Sequence, residues 1–278
     1  MNYRHAYHAG NFADVFKHIL LTRLALYLQR KDKPIRLFDT HAGIGLYARD
    51  SEEQAKTGEA ALGIEKVLAA TTNPAIEELI APWRTAVNAH WPGSIPGSPL
   101  IAKAMLRKSD RLTLFEKHPD DAPLLKERFA DDWQTRVYPS DGWLAAVSQI
   151  PPKESRGLAL VDPPFEDGKD FDRMIDFLKN STQRWPGGMV ALWYPVKKRD
   201  HTDEWLSTLK GMGFPKLLNA ELYIREPRFP NMLNGCGMVI ANAPYVLPDE
   251  LATLLPWLAG VMRQDKGAGH RVQDLSKR

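Results

Sequence analysis

"IRLFDTHAGIG", Ile35 to Gly45, governs how the rest of the chain is read. Ile35, Leu37 and Phe38 make a short apolar run with the character of a buried strand, and Asp39 closes it. Gly43 and Gly45 then form a turn in which the missing Cβ atoms let the backbone come close to a ligand. Gly-x-Gly is a weak signal alone, and the third glycine of the dinucleotide fingerprint is absent, with Ala48 in its permitted alternative. The acid that usually grips a ribose stands about 20 residues on, at the end of the next strand. Here the next strand pattern, "RLTLFEK", ends at Glu116, 71 positions beyond Gly45. The segment between resolves the mismatch. "EAALGIEKVLAA" and "PAIEELIAPWRTAVNAHW" read as helices broken at Thr71 to Pro74, and residues 51–92 contain no strand pattern. Excise them, and Glu116 takes the ribose position.

The rest of the chain fits this frame. Asn11 is a helix cap, followed by apolar residues at helical spacing: Phe12, Val15, Phe16, Ile19 and Leu20. In "PGSPLIAKAMLRK", Ser98 is the expected cap with Pro99 at the first helical position. "TRVYPSDG", "RGLALVDPPF" and "GGMVALWYPV" are further strands. "KLLNAELYIRE" and "GCGMVIANAP" have no helix between them and are expected to pair as an antiparallel hairpin across "PRFPNMLN". Strands alternating with helices imply an α/β fold with a doubly wound, mostly parallel seven-stranded sheet. The expectation is a single domain over 1–278, with a terminal antiparallel hairpin and an inserted helical subdomain at 51–92.

Composition narrows the classes. The chain has 278 residues, 44% hydrophobic and 26% charged, which suits a globular core without staples. Cys236 is the single cysteine, so no intrachain disulfide forms and a reduced, cytoplasmic setting is expected. "MNYRHAYHAGNF" lacks an apolar signal core, and no 18-residue apolar run spans a membrane. The net charge is +3. Residues 1–36 hold seven Lys/Arg against two acids, and "VKKR" at 196–199 and the "HRVQDLSKR" tail add more. Such patches meet phosphates or simply face water. His5 and His8 have the spacing of metal ligands but lack the Cys or His partners of a zinc site, so no metal is expected.

Three strand ends carry chemistry besides the glycine turn. Glu116 ends the second, and Asp141 with Gly142 ends the third. That is a place for an acid that bonds an adenine amine, although turn chemistry also explains Asp-Gly. The fourth ends at Asp162-Pro163-Pro164-Phe165. An exocyclic amine on adenine is a poor nucleophile because its lone pair is delocalised into the ring. Asp162 offers it a carboxylate, Pro163 a rigid carbonyl, and Phe165 a ring for stacking on a flipped base. In "ALWYPV", Trp193 and Tyr194 belong to a core strand or wall this pocket.

Asp-Pro-Pro-Phe resembles the (D/N)PP(Y/F) signature of S-adenosylmethionine-dependent amino-methyltransferases. "YRHAYHAGNFADVFKH", "DTHAGIG", "PGSP", "EKHP", "SDG" and "ALWYPV" resemble the bacterial family of large-subunit (23S) ribosomal RNA adenine-N6 methyltransferases called J, from Tyr3 to about Trp257. The resemblance implies a Rossmann-like class I methyltransferase acting on protein-free or early-assembly ribosomal RNA as a monomer. It implies cofactor contacts at Lys17, His18, His41, Ser98, Glu116, Asp141, Gly142 and Asp162, to which the glycine turn adds Gly43, with Asp162 as the catalytic acid beside Pro163 and Phe165. Tyr3, Arg4 and Phe165 would meet the substrate. The family usually carries Tyr where this chain has Phe165, so no hydroxyl is available there. Two other readings stand beside this one: a DNA adenine-N6 methyltransferase, and a non-catalytic nucleic-acid-binding protein linked to DNA uptake or use.

Overall fold

The computed structural model describes residues 7–166 and 168–277. All seven expected strands form: β1 Ile35–Asp39, β2 Arg111–Phe115, β3 Thr135–Tyr138, β4 Arg156–Val161, β5 Met189–Val196, β6 Leu217–Tyr223 and β7 Gly235–Ala241. An eighth, β8 (Gly269–Asp274), joins them from the tail, and the sheet order is 8-6-7-5-4-1-2-3. β1 to β5 run parallel, while β7 pairs antiparallel with both β5 and β6. In the sequence the tail shows only as a basic patch. None of its residues is buried and most are polar, as in a strand against water, so no apolar alternation betrays β8. It pairs antiparallel with β6, Arg271 opposite Glu221.

Alternate side chains of the parallel strands enter two cores. Leu37, Leu112, Leu114, Leu158 and Leu160 face a cluster built on α1 (Phe12–Leu28). Phe38, Phe115, Ala159, Val161 and Leu192 face the other side. The period of two along each strand sets this division. Asn11 caps α1 as expected, its side chain accepting from the N–H groups of Ala13 and Asp14.

Residues 51–92 fold as helices, α2 Glu52–Thr57, α3 Glu59–Leu62, α4 Ile64–Ala69 and α5 Pro74–Asn88. A two-stranded ribbon that the sequence did not announce, Leu46–Ala48 against Ser94–Pro96, closes the neck of this segment. The pattern "EAALGIEKVLAA" predicts one helix, but it breaks at Gly63. There the chain crosses the backbone of Gly10 and Asn11 so closely that a Cβ would lie 2.3 Å from the Gly10 carbonyl oxygen. Ile80, Trp83 and Val87 of α5 share the α1-side core.

The remaining helices connect the strands: α6 Ser98–Ala104, α7 Asp121–Arg128, α8 Gly142–Ser148, α9 Asp170–Arg184, α10 Arg199–Gly211 and α11 Leu247–Val261. Ser98 is not the cap of α6. Gly97 holds that place, and the Ser98 hydroxyl turns to Asp39, 2.6 Å away. A charge-assisted bond to a buried carboxylate outcompetes a backbone cap.

Candidate active site

The carboxyl ends of β1, β2, β3 and β4 open onto one cavity of about 930 Å³, within the range of small-molecule sites. Lys17, His41, Gly43, Ser98, Glu116, Asp141, Gly142, Asp162, Pro163 and Phe165 all line it. His18 does not. It is buried on α1 with its Nε2 3.9 Å from Asp14 Oδ1, behind the wall rather than on it. Tyr3, Arg4 and His5 lie outside the described residues. His8, the other half of the metal-like pair, has Nδ1 3.0 Å from Glu59.

The glycine turn is built as the sequence suggests. Gly43 and Gly45 adopt φ of +61° and +79°, a region costly for residues with a Cβ. A Cβ on Gly43 would sit 2.3 Å from the Tyr47 hydroxyl, so the turn also depends on the unforeseen ribbon. The Gly43 N–H donates to Glu116 Oε2 and the His118 N–H to Oε1, both at 2.7 Å. Burial nevertheless holds the Glu116 carboxyl above its ordinary pKa. Asp141 serves turn chemistry and more. Its Oδ1 accepts from the Trp143 N–H that opens α8, and its Oδ2 accepts from Lys117 at 2.9 Å. Burial raises its pKa, but these bonds outweigh burial and hold it low. Gly142 is a packing necessity: a Cβ would meet the Thr40 carbonyl oxygen at 1.9 Å.

Two titratable groups at the end of β1 are shifted in opposite senses. Burial raises Asp39 to about 6 despite bonds from Ser98 and His41. Burial lowers His41 to about 4, so its imidazole is neutral at pH 7. Asp39 was not singled out from the sequence, because an acid at a strand end reads as a turn residue. The signal for its role is the distant Ser98.

The fourth strand end is the most constrained. Lys17 Nζ lies 2.5 Å from Asp162 Oδ2 and 2.9 Å from Asp14 Oδ1. Burial disfavours the ammonium, but the two carboxylates outweigh that and push its pKa well up, so it stays cationic. Asp162 Oδ1 accepts no hydrogen bond from the described residues and is left for the cavity. Two residues past Pro163, Phe165 takes φ of +53°, an uncommon conformation for a bulky residue that marks functional sites. Its ring contacts Phe171 and Trp193. Trp193 lines the cavity, whereas Tyr194 is sealed in the opposite core. The late position of Cys236 in the chain suggests a place away from the carboxyl edge. Cys236 instead pairs with Pro195 at the start of β7. An antiparallel strand begins where its parallel neighbour ends, so Cys236 is buried beside that edge.

A mostly parallel sheet with β7 antiparallel between β5 and β6, and acids on four consecutive carboxyl ends, has the layout of a Rossmann-like methyltransferase. Residues 32–274 match the family model described as ribosomal RNA large subunit methyltransferase D, RlmJ. The chain belongs to that family. It is 37% identical to the ribosomal RNA large subunit methyltransferase J of Escherichia coli K12, covering 97% of this chain and 96% of the relative. Its identity to the protein of the same name in Haemophilus influenzae is 36%, over 93% and 92% of the two chains. A crystal structure of a Legionella pneumophila protein superposes with a TM-score of 0.85 at 30% identity, covering 96% of this chain and 98% of that one.

Proposed function

We propose that the chain methylates the N6 amine of an adenine in 23S ribosomal RNA, with S-adenosylmethionine as the methyl donor. The observation that carries the reading is Asp162 at the end of β4: one oxygen is clamped by Lys17, and the other faces the cavity beside Pro163 and Phe165. The relatives' name supplies the substrate class.

The residues present fit the cofactor. The cavity is large enough, Gly43 provides a cradle that a Cβ would fill, and Glu116, Asp141 and Asp162 offer carboxylates in the order of the strands. Glu116 would hold the ribose hydroxyls, Asp141 the adenine amine, and Lys17, His41, Gly43, Ser98 and Gly142 would complete the wall. When bound, the cofactor supplies an electrophilic methyl on a sulfonium.

Asp162 accepts one N–H of the target amine and the Pro163 carbonyl the other, which turns the nitrogen lone pair toward the incoming carbon. The amine becomes cationic as the N–C bond forms, and the Asp162 charge stabilises it there. Lys17 fixes the carboxylate without occupying both of its oxygens. Phe165 stacks on the flipped base, and Tyr3 and Arg4 of the N-terminal block meet the RNA. The reaction proceeds without a covalent enzyme intermediate.

The whole chain works as one methyltransferase domain in the cytoplasm, as a monomer, on protein-free or early-assembly RNA. Residues 51–92 are a helical subdomain serving the substrate, supported by the ribbon at its neck and by Glu59 and Leu62 on the cavity wall. Mass spectrometry of 23S ribosomal RNA nucleosides from cells with and without the protein tests the reading. Loss of one N6-methyladenosine is expected, and an unchanged profile refutes it.

A further inference from the structure

Five Lys and Arg side chains line the cavity: Lys17, Lys117, Arg173, Lys197 and Arg225. The first three are neutralised. Lys17 pairs with Asp14 and Asp162, Lys117 with Asp141, and Arg173 with Asp170. The other two differ. Arg225 meets Gln264 and the Met232 sulfur but no carboxylate among the described residues, and Lys197 has no such partner either. Lys197 is followed by Lys198 and Arg199, which opens α10. A helix N-terminus favours anions rather than cations, so "VKKR" stacks positive charge where local helix chemistry disfavours it. In the sheet order these charges follow β5 and β6, on the other side of β4 and Asp162 from the Glu116 and Asp141 strand ends.

The loop between β6 and β7 forms the rest of this wall through Asn231, Met232 and Leu233. The loop is tied into the fold. Buried Asn234 ties it down, its Nδ2 donating to the carbonyls of Lys197 and Phe229 at 2.7 Å each. At its tip Phe229 and Met232 are exposed, 39% and 46%. Arg228 lies over the Phe229 ring at 5.0 Å and pairs with Glu226. Unneutralised cations beside a solvent-facing ring and a flexible thioether are the composition of a single-stranded nucleic-acid groove.

We infer that loop 226–234, with Lys197 and Arg225, is the clamp for the RNA strand flanking the target nucleotide. The two cations take phosphates, and Phe229 takes the face of a neighbouring base. The inference rests on the proposed function and extends it to the strand outside the catalytic pocket. Asn234 acts as a positioning residue.

The test uses full-length protein and protein-free transcripts tiling 23S ribosomal RNA, with S-adenosylmethionine. Lys197→Ala and Arg225→Ala should each raise KM for the methylated transcript roughly tenfold. Each should also flatten the slope of log affinity against log salt by about 0.7, the value for one lost single-strand phosphate contact. Phe229→Ala should raise KM by roughly 10-fold or more without changing the salt slope, and Phe229→Tyr should restore it. Cofactor affinity by calorimetry and the single-turnover rate at saturating RNA should stay at wild-type values, which excludes misfolding. Exposed Lys126 on α7, as Lys126→Ala, is the control for net charge. If wild type methylates a transcript and the Lys197, Arg225 and Phe229 variants match it in KM and salt slope, the clamp is refuted and the function stands. If wild type methylates no transcript, both fall.

Discussion

Asp162 and Glu221 are both carboxylates held by a cation on the same sheet, three strand positions apart, and they are built for opposite ends. Glu221 is fully buried, and both its oxygens are used. Oε1 accepts from the Tyr194 hydroxyl at 2.6 Å and from Arg271 at 2.8 Å, while Oε2 accepts from Arg271 at 2.5 Å and from the Tyr223 hydroxyl. Asp162 keeps 16% of its side chain exposed, spends one oxygen on Lys17 and leaves the other to the cavity. An acid does not become a reactive site through burial and an ion pair alone. It needs a lone pair that the fold has left unspent. The Glu221 network pins the tail strand β8 and, through Arg271 and Asp203, the helix α10.

The largest effect should come from breaking the closed network. Glu221→Ala takes from Arg271 its buried partner, leaving it only half-exposed Asp203, and from the Tyr223 hydroxyl its acceptor, while Tyr194 keeps Asn219. Removing one partner of such a pair costs about 3–5 kcal/mol. Denaturant unfolding should show that loss, while the rate per folded molecule stays near wild type. A destabilisation under about 1 kcal/mol would mean the network is decorative.

Asp162→Ala should invert that result. Lys17 retains Asp14, so stability should change little. The single-turnover methylation rate at saturating cofactor and RNA should fall on the order of 10²–10³, about 2.7–4 kcal/mol in the barrier. Asp162→Asn keeps one acceptor but loses the charge, and should fall nearly as far. Wild-type turnover in either variant would reduce Asp162 to the structural role of Glu221.

Asp39 and His41 sharpen the comparison, because their titrations oppose each other. Asp39 is raised to about 6, so its contribution to stability is full below pH 3.8 and is lost as pH rises through 6. His41 is lowered to about 4, so its contribution is full above pH 6.5 and is lost as pH falls through 4. Each is worth about 3 kcal/mol by linkage, somewhat less for His41, whose ring is partly open to the cavity. In the wild type they largely cancel. Asp39→Asn should therefore lose stability as pH falls from 6.5 to 4, and His41→Asn should gain it. Thermal unfolding across that range decides, and parallel curves for the two variants would refute the assignment.

Glu116→Ala should have the smallest effect of the four. A lost charged hydrogen-bond pair is worth roughly 1.5–3 kcal/mol, so cofactor affinity by calorimetry should drop about tenfold or more. Unchanged affinity would show that Glu116 only braces Gly43 and His118.

Much of this was legible along the chain. "IRLFDTHAGIG", "RLTLFEK" and "RGLALVDPPF" became parallel strands β1, β2 and β4 with their acids at one edge, because apolar period and strand-end glycines are local signals. Gly63 broke a helix that propensity favoured, since a backbone crossing leaves no trace in helical spacing. Ser98 turned from its cap to Asp39 for the same kind of reason: the better partner was 59 residues away.

The sequence by itself determined the α/β alternation, the helical run between β1 and β2, and the row of acids at Glu116, Asp141 and Asp162. Right-handed crossovers bring successive parallel strand ends to the same edge whatever the loops contain. Only the tertiary structure decided which acids are spent. It set Lys17 on Asp162 across 145 residues and Arg271 on Glu221 across 50, made a strand of a polar tail, and left Lys197 and Arg225 without a carboxylate among the described residues. Charge pairing depends on distances of a few ångströms between packed elements, and that information is carried by packing rather than by any local pattern.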